Sequence, residues 1–413
     1  MLLRHLLDRI IQSGTLEVID ARGRSHVFGE ANGRAVTVRL HDSSLHTKLF
    51  LHPSLVLGEA YMDGTLTIES GDLHDLLALL LGNMERIERL PFQVHYEALR
   101  RLLRPLRTFN PARRARRNAA HHYNLSDRLY DLFLDRDRQY SCAYFASDNE
   151  SLEVAQDNKK RHIAAKLLLK PGQRILDIGS GWGGLALSLA RLAKGTEVTG
   201  ITLSHEQLKT ARERAAAAGL AERVKFALRD YREERGRYDR IVSVGMFEHV
   251  GPNHYRAFFA KVKELLAEDG ICLLHSIGCM EPPGKMYFRS HGLVPPGGYT
   301  PALSEVLAAV ERVGLWVTDI EILRLHYANT IAEWRRRFLA NRDEVLRLYD
   351  ERFCRMWEFY LTSCELAFRH LRQMVFQMQL TRRQDATPLT RDYMLDWERE
   401  HTRLGDLSPS ASM

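Results

Sequence analysis

The sequence predicts an α/β protein in which a mostly parallel, doubly wound sheet follows a small α+β domain. From about residue 170, short apolar strands alternate with amphipathic helices, as in a parallel sheet covered on both faces. Residues 1 to about 95 carry short alternating segments separated by turn signals such as Asn32-Gly33. We therefore predict an α+β domain over residues 1–97, a linker over residues 98–118 and an α/β domain over residues 119–413.

The first segment, "MLLRHLLDRIIQSG", is predicted to form an amphipathic helix because charged residues interrupt its apolar ones. It lacks the uninterrupted apolar core of a signal peptide. "TLEVID" and "AVTVRL" are predicted strands. The longest aliphatic run, "LLALLL" at residues 76–81, is far shorter than the ~20 residues needed to span a bilayer. We expect a protein that is soluble or lies on a membrane without crossing it.

The linker at residues 98–118 holds eight arginines and no acidic residue. It is either a solvated basic segment or a docking patch for the phosphates of an anionic bilayer, where each Arg contributes about 1 kcal/mol. The net charge of +7 favours an acidic partner surface. Nucleic acid is disfavoured, because Phe109 is the single aromatic residue available for stacking on bases within the linker.

The α/β region is read element by element. The predicted strands are "RILDIG", "EVTGIT", "VKFALRD", "YDRIVSVG" and "GICLLHSIG", and the predicted helices are "LALSLARLA", "SHEQLKTARERAAAAG" and "YRAFFAKVKELLAEDG". From about residue 330 the tail is predicted to be mostly helical. Its aromatic and sulfur side chains at near-helical spacing, which pack a core or wall an apolar tunnel, are Phe353, Trp357, Tyr360, Cys364, Phe368 and Phe376. The end, "GDLSPSASM", is predicted to be disordered.

A glycine-rich turn, "LDIGSGWGG" at residues 176–184, follows the first of these strands and opens a helix. This pattern lets the backbone approach a nucleotide closely, but alone it is a weak signal. A dinucleotide site would need an acidic residue at the end of the next strand, where Thr202 stands. Asp177 and the "LRDY" segment fit a smaller adenosyl ligand better. The layout resembles an S-adenosylmethionine-dependent methyltransferase of class I, with a dehydrogenase and a non-enzymatic descendant of the fold as alternatives.

With that cofactor, the chain resembles the cyclopropane-fatty-acyl-phospholipid synthases. The motifs that carry the resemblance run in order over roughly residues 50 to 380. They are "LGEAYMDG", "HHYNLSDRLYDLFLD", "QYSCAYF", "LKPGQRILDIGSGWGG", "GITLSHEQ", "YDRIVSVGMFEHVG", "LLHSIG", "HYANTIAEWRRRF" and "YLTSCELAFR". Mycolic acid cyclopropane synthases are similar only in the second domain.

The resemblance implies a specific proton-transfer site. A cis alkene is a weak nucleophile, so the sulfonium methyl group must be held in near-attack geometry in a dry pocket. A proton must then leave the new methyl group before the ring closes. In this family a bound bicarbonate accepts it, and the residues implied to hold the bicarbonate are Glu248, His275, Tyr327 and the backbone N–H groups of Cys142 and Ile277.

We expect Glu248 to end the fourth strand and His275 the fifth, because ligands of open α/β sheets bind outside the carboxyl ends of the strands. His249 is expected to point elsewhere. Each residue also has a structural alternative: an exposed strand end for Glu248, a satisfied core histidine for His275, and core packing for Tyr327.

The five cysteines include no C-x-x-C pair, which favours reduced thiols in a cytoplasm and argues against a metal site. Cys142 is expected to be structural, since nothing basic in "YSCAY" would activate its thiol. Cys364 matches a cysteine often regarded as an active-site residue of the family. We expect it to line the acyl tunnel, because a sulfonium donor needs no covalent enzyme intermediate.

The resemblance also assigns the cofactor site. It implies that Tyr140, Ser141, Gly179, Gly181 and Gly183 surround S-adenosylmethionine, together with Asp177 and with Ser180, which stands where many members have Cys. Thr202 and Gln207 would hold the ribose, and Asp230 and Tyr231 would lie at the adenine.

One segment departs from the family pattern. Residues 279–303 lack the longer Trp-containing insert, and "LVPPGGYTP" stands in place of the expected motif. Because this region borders the acyl pocket, a relative that makes a methyl- or methylene-branched chain is a second hypothesis. The expected partners are unsaturated phospholipid acyl chains at the cytoplasmic face of an anionic membrane, and a homodimer is one alternative for the oligomeric state.

Overall fold

The computed structural model describes residues 2–30, 35–83, 126–283 and 299–405. Three predicted features lie wholly or mostly outside these ranges. They are the arginine-rich linker, the segment that departs from the family pattern, and the terminal "GDLSPSASM".

The N-terminal part contains a four-stranded sheet of order β2-β1-β3-β4 with helices around it. Strand β1 pairs parallel to β3 and antiparallel to β2, and β3 pairs antiparallel to β4. The amphipathic first helix is confirmed, and it packs its leucines on this sheet. The elements are α1 (Leu2–Ile10), β1 (Thr15–Ile19), β2 (Ser25–Gly29), β3 (Val36–Leu40), α2 (Leu45–Leu51), α3 (Pro53–Met62), β4 (Leu66–Ser70) and α4 (Leu73–Gly82).

The larger part is a seven-stranded sheet of order β10-β11-β9-β8-β5-β6-β7. The five neighbouring strands β7, β6, β5, β8 and β9 run parallel to one another. Strand β11 lies between β9 and β10 and runs antiparallel to both. The predicted α/β fold with a mostly parallel sheet is confirmed. The strands are β5 (Arg174–Ile178), β6 (Glu197–Thr202), β7 (Val224–Leu228), β8 (Tyr238–Val244), β9 (Leu266–Cys279), β10 (Trp316–Ile322) and β11 (Gln373–Thr381).

Helices cover both faces of this sheet and bury apolar clusters on each side. They are α5 (Asp127–Asp131), α6 (Leu152–Lys166), α7 (Gly184–Leu192), α8 (His205–Ala217), α9 (Tyr255–Leu265), α10 (Leu303–Val313), α11 (His326–Ala340), α12 (Arg342–Leu348), α13 (Glu351–His370) and α14 (Asp392–Gly405). Across the described ranges, no helix is both long enough and apolar enough to cross a bilayer.

The predicted mostly helical tail, from about residue 330, is confirmed except at one described strand, β11. Helix α13 ends at His370, and Arg372 takes a positive φ of 52° before the chain enters β11. Phe376 therefore lies on a strand and not on the aromatic helix. Strand β11 is buried on both faces, and its sequence alternates apolar residues at Phe376, Met378 and Leu380 with polar residues at Gln377, Gln379 and Thr381. This alternation is typical of a strand, but Phe376 also lies eight residues after Phe368, a spacing that continues the helical pattern of α13.

Candidate active site

A cavity opens at the carboxyl ends of β5, β6 and β8, where ligands of open α/β sheets bind. The segment 138–141 closes one side of it. Of the residues predicted to bind the cofactor, all but Gly183 line this cavity: Tyr140, Ser141, Asp177, Gly179, Ser180, Gly181, Thr202, Gln207, Asp230 and Tyr231.

The glycine turn leaves polar atoms that need a ligand. Asp177 Oδ2 and Ser180 Oγ are buried and have no hydrogen-bond partner in the described structure. Burial raises the pKa of Asp177 to about 7, while the Lys159 ammonium acts in the opposite direction. A Cβ at Gly181 would meet nothing within 4 Å, so its backbone faces open space. This combination fits a ligand with its own donors, such as the cationic methionine end of S-adenosylmethionine.

Gly183 does not line the cavity, contrary to the sequence-based expectation. It precedes α7 with a φ of 82°, and an added Cβ would lie 2.6 Å from Phe226 Cζ and 3.1 Å from the Ala211 Cβ. Its role in the structure is to let α7 pack closely on the sheet and on α8.

At the far end of the cavity, the predicted ribose and adenine residues have partners within the protein. Thr202 Oγ1 donates to Gln207 Oε1 at 2.9 Å. The Asp230 carboxylate accepts from Nε and Nη2 of Arg232, both at 2.9 Å. Burial raises the pKa of the Tyr231 phenol to about 12, so this ring is a neutral neighbour for a base.

Several lining residues were not predicted, among them Arg138, Gln139, Trp182, Arg232 and His249. The expectation that His249 points elsewhere is wrong. It assumed the alternation of a strand, but residues 247–249 form a 3₁₀ turn, in which that alternation does not apply. Burial lowers the pKa of His249 to about 4, so its ring is neutral near pH 7.

Glu248 lies on the same turn, four residues beyond the end of β8, and not at the strand terminus as predicted. It is 9% exposed, which excludes the alternative of an exposed strand end. Its Oε1 accepts the Ile277 N–H at 2.6 Å, while its Oε2 is buried and has no partner in the described chain. Burial raises the pKa of this carboxyl above its usual value. Glu248 is therefore a buried acid with one unoccupied oxygen.

His275 lies within β9, which continues for four residues to Cys279, so the prediction that it ends the strand is wrong. Its Nδ1 is 3.2 Å from Nε2 of Gln377 on β11. Burial lowers its pKa well below the usual histidine value, so the ring is neutral. Because side chains alternate along a strand, His275 and Ile277 share one face of the sheet.

Tyr327, the second residue of α11, lies near three of the other predicted catalytic residues, and His275 is not among the groups that act on its phenol. Burial raises the pKa of its phenol well above the usual value, and Tyr140, Cys142, Cys364 and Glu248 raise it further. The structure thus brings Glu248, Tyr327 and both cysteines into one buried neighbourhood. Its ring also contacts Trp334 and Phe368, at centroid distances of 5.8 and 4.9 Å.

One detail of the expected bicarbonate cradle differs in the structure. The Ile277 N–H, expected to face bicarbonate, donates to Glu248 instead. The role of the Cys142 N–H stays a prediction, while the thiol of the same residue donates to the Ala143 carbonyl oxygen at 3.3 Å. Burial raises the pKa of the Cys142 thiol, and raises that of Cys364 to about 12, so both sulfurs are protonated and neither is a nucleophile at neutral pH.

A buried aromatic cluster adjoins the cofactor cavity at Tyr140. The Tyr140 ring lines the cavity and lies 5.1 Å from the Trp334 ring centroid. Its hydroxyl is 3.2 Å from that of Tyr360, which lies on α13 beside Cys364. The other side chains of this aromatic cluster include Phe133, Ile277, Trp357 and Phe368. Tyr140 therefore separates the cavity from a packed apolar region.

Comparison with known proteins decides the family. The family model described as mycolic acid cyclopropane synthetase matches residues 110–378. The chain belongs to this family. A second model, a domain of unknown function, matches residues 2–89.

Two relatives match across both parts of the chain. A cyclopropane-fatty-acyl-phospholipid synthase of Escherichia coli strain K12 is 37% identical over 352 residues, which cover 84% of this chain and 89% of that protein. A probable fatty acid methyltransferase of Pseudomonas putida is 36% identical over 341 residues, which cover 81% of this chain and 84% of that protein.

A crystal structure of the mycolic acid cyclopropane synthase CmaA1 complexed with SAH and CTAB matches with a TM-score of 0.61 and 32% identity. The match covers 66% of this chain and 99% of that one. The predicted resemblance is thus confirmed, and the chain is an S-adenosylmethionine-dependent methyltransferase of the class I fold.

Proposed function

We propose that this enzyme is a cyclopropane-fatty-acyl-phospholipid synthase, which adds a methylene group from S-adenosylmethionine to the cis double bond of a phospholipid acyl chain. The observation that carries the proposal is the junction at Tyr140, where the cavity meets the buried aromatic cluster. Beside it lie the unoccupied oxygen of Glu248 and the phenol of Tyr327. An alkene held among the side chains of this cluster would be shielded from water, with a buried carboxylate close by.

Different residues of the site have different roles in this reaction. S-adenosylmethionine, when bound, supplies an electrophilic methyl group. Asp177 and Ser180 offer buried oxygens for its polar end, and the tyrosine and tryptophan rings exclude water from the acyl side. The π faces of Tyr140 and Trp334 favour positive charge nearby, on the sulfonium or on the alkylated chain.

The proposal extends to bicarbonate as the proton acceptor. Glu248 Oε2 is a buried acceptor without a partner, and it can take the O–H of a bicarbonate. The Tyr327 phenol stays protonated and can donate. The neutral His275 ring has one nitrogen beside Gln377, which leaves its other nitrogen as a candidate donor. These side chains fit a small oxyanion, and a bound bicarbonate would supply a base there.

A second candidate function is transfer of a methyl group to give a methyl- or methylene-branched acyl chain. The Pseudomonas putida relative favours it, because a probable fatty acid methyltransferase is about as similar to this chain as the Escherichia coli cyclopropane synthase is. Both the cyclopropane and the methylene branch arise from the same alkylated chain by loss of a proton from the transferred methyl group. In the first case this carbon closes a ring on the neighbouring cationic carbon, and in the second a 1,2-hydride shift moves the cation first and a C=CH2 double bond forms. A saturated methyl branch would in addition require a hydride donor that reduces this double bond.

Product analysis separates the two functions. The enzyme would be incubated with S-adenosylmethionine and vesicles of a cis-monounsaturated phospholipid, and its fatty acids analysed by mass spectrometry before and after mild hydrogenation. Cyclopropanation predicts a product one methylene heavier that resists hydrogenation. A product that takes up hydrogen would support the methylene-branched alternative and exclude the ring. Vesicles of fully saturated lipid are the control, and they should give no product.

We also propose that the enzyme acts at the cytoplasmic face of an anionic membrane. The net charge of +7 supports this location. Co-sedimentation should show more protein bound to vesicles with anionic lipid than to zwitterionic ones, with the difference decreasing as salt is added. Preferential binding to RNA in the same assay would contradict the proposal.

A further inference from the structure

Helix α6 carries two fully buried lysines, Lys159 and Lys166, both 0% exposed. A buried ammonium is costly unless its hydrogens are bonded. Lys166 forms an ion pair with Glu321. Lys159 forms no ion pair with a carboxylate in the described chain, and donates at 2.8 Å to Gln139 Oε1 and at 2.8 Å to Ser141 Oγ. Both acceptors line the cofactor cavity.

The same helix face also holds the backbone of this segment. Gln156, three residues before Lys159, donates from Nε2 to the carbonyl oxygens of Gln139 at 3.2 Å and Ser141 at 3.0 Å. The segment 138–141 has no regular secondary structure, and Arg138 takes a positive φ of 53°. Side chains of α6 therefore fix the path of the segment.

We propose that Lys159 is a positioning residue for the cofactor, which holds Gln139 and Ser141 against the cavity and places a positive charge behind the Asp177 carboxylate. The inference rests on the proposed cofactor site. The charged groups around Lys159 are Asp135, Asp137, Asp177 and Lys160, with the Cys142 thiol and the His275 ring also close. Within this group, Asp177 Oδ2 is the carboxylate oxygen that faces the cavity without a partner.

The two lysines of α6 provide a matched pair of variants. Lys159→Met and Lys166→Met each remove a buried ammonium from the same helix, but only Lys159 bonds residues that line the cavity. Loss of two charged hydrogen bonds predicts that Lys159→Met weakens S-adenosylmethionine binding about tenfold to hundredfold in titration calorimetry. Lys166→Met should lower stability and leave the affinity within about threefold.

The pH dependence of binding distinguishes positioning from a purely structural role. Lys159 lowers the pKa of Asp177, so its removal raises that pKa. If the ionised Asp177 holds the cofactor, affinity falls as the pH drops through the Asp177 pKa, and in Lys159→Met this fall begins at a higher pH. An affinity and a pH profile equal to those of the wild type would overturn the inference.

Two further variants keep the test decisive. If Lys159→Met does not fold, Ser141→Ala removes one of its acceptors and should still weaken binding severalfold. Gly181→Val places a side chain in the open space of the cavity. If Gly181→Val binds the cofactor like the wild type, the proposed cofactor site itself is wrong. If it loses binding while the Lys159 and Ser141 variants do not, only the role of Lys159 is wrong.

Discussion

At the scale of single residues, the Glu248 carboxylate has the clearest consequences for activity. One of its oxygens accepts from Ile277, and the other is free to meet a substrate or a bicarbonate. Glu248→Gln keeps the first hydrogen bond but replaces a proton acceptor with an amide. We expect turnover to fall about a hundredfold or more, with S-adenosylmethionine affinity nearly unchanged.

The control for this variant is Glu234→Gln. Glu234 is also buried, but both of its carboxylate oxygens accept hydrogen bonds from protein side chains, one from Arg229 and one from Tyr238. The Glu234→Gln variant should have a lower unfolding free energy than the wild type and an unchanged turnover. Weakened cofactor binding in Glu248→Gln, with turnover intact at saturation, would show that Glu248 belongs to the cofactor site and not to the chemistry.

Glu248 also predicts a pH-dependent stability. Burial raises its pKa in the folded state, so its stabilising contribution is complete below the unfolded pKa and is lost as the pH rises through the folded pKa. Glu248→Gln removes this loss. The unfolding free energy of the variant, relative to wild type, should therefore increase with pH in urea titrations.

Glu365 is predicted to change the unfolding free energy with pH in the opposite direction, and it serves as the comparison. Although burial acts in the other direction, hydrogen bonds with His74 and Arg335 lower the pKa of Glu365 to about 2. Its contribution is present above the unfolded pKa, so Glu365→Gln should lose stability relative to wild type as the pH rises. Equal trends in both variants would contradict the assignment.

The Cys364 thiol lies beside Tyr360 in the aromatic cluster, and burial raises its pKa to about 12. A protonated, buried sulfur is neither a nucleophile nor a base near neutral pH. We expect Cys364→Ala to retain turnover within about tenfold, with the loss arising from packing. Complete loss of turnover in a folded variant, together with normal cofactor binding, would show that the sulfur takes part in the reaction.

At the scale of elements, two glycines of the turn before α7, Gly181 and Gly183, have different roles. Both have positive φ, so a side chain costs backbone strain at either position. Gly183→Ala also collides with Phe226 and should lower the unfolding free energy by about 1–3 kcal/mol, with affinity for S-adenosylmethionine retained. Gly181→Ala should mainly lower that affinity. Thermal unfolding and calorimetry on both variants test the contrast, and the reverse pattern would contradict it.

Strands and helices differed in how far the sequence predicted them. Strands β5 to β9 are short apolar runs between turn signals, and they were recognised. Strand β11 was not predicted, although its residues 376–381 alternate between apolar and polar, because it follows directly on the aromatic helix α13 and Phe376 continues the helical spacing of that helix. The sequence predicts that the fourth strand extends to Glu248, but residues 247–249 form a 3₁₀ turn. The strand propensity of the residues does not indicate where a buried strand ends and a tight turn begins.

Many residues that line the cavity could be predicted because they lie in a few local motifs, whereas the side chains that support them from behind could not. Lys159 and Gln156 come from a helix whose sequence resembles that of an exposed, polar helix. Their burial depends on packing against segment 138–141, which is a tertiary effect. The partner of Ile277 was likewise set by how the turn at Glu248 folds back onto β9.

At the scale of the whole molecule, helix α13 connects the N-terminal sheet region to the active site. One side of it carries Phe359, which packs on Tyr61 at a ring distance of 6.1 Å, and Glu358, which accepts from the Tyr61 hydroxyl at 3.1 Å. The other side carries Tyr360 and Cys364, which belong to the aromatic cluster. The N-terminal part therefore supports the helix that forms one wall of the proposed acyl site.

The most direct test of the account follows the methyl group itself. The enzyme would be incubated with S-adenosylmethionine carrying a trideuterated methyl group and with a cis-unsaturated phospholipid. The account predicts a product that resists hydrogenation and retains all but one of the deuterons, because the transferred methyl group loses one deuteron to the buried proton acceptor before the ring closes. A product that retains every deuteron would be methylated without ring closure and would contradict the account.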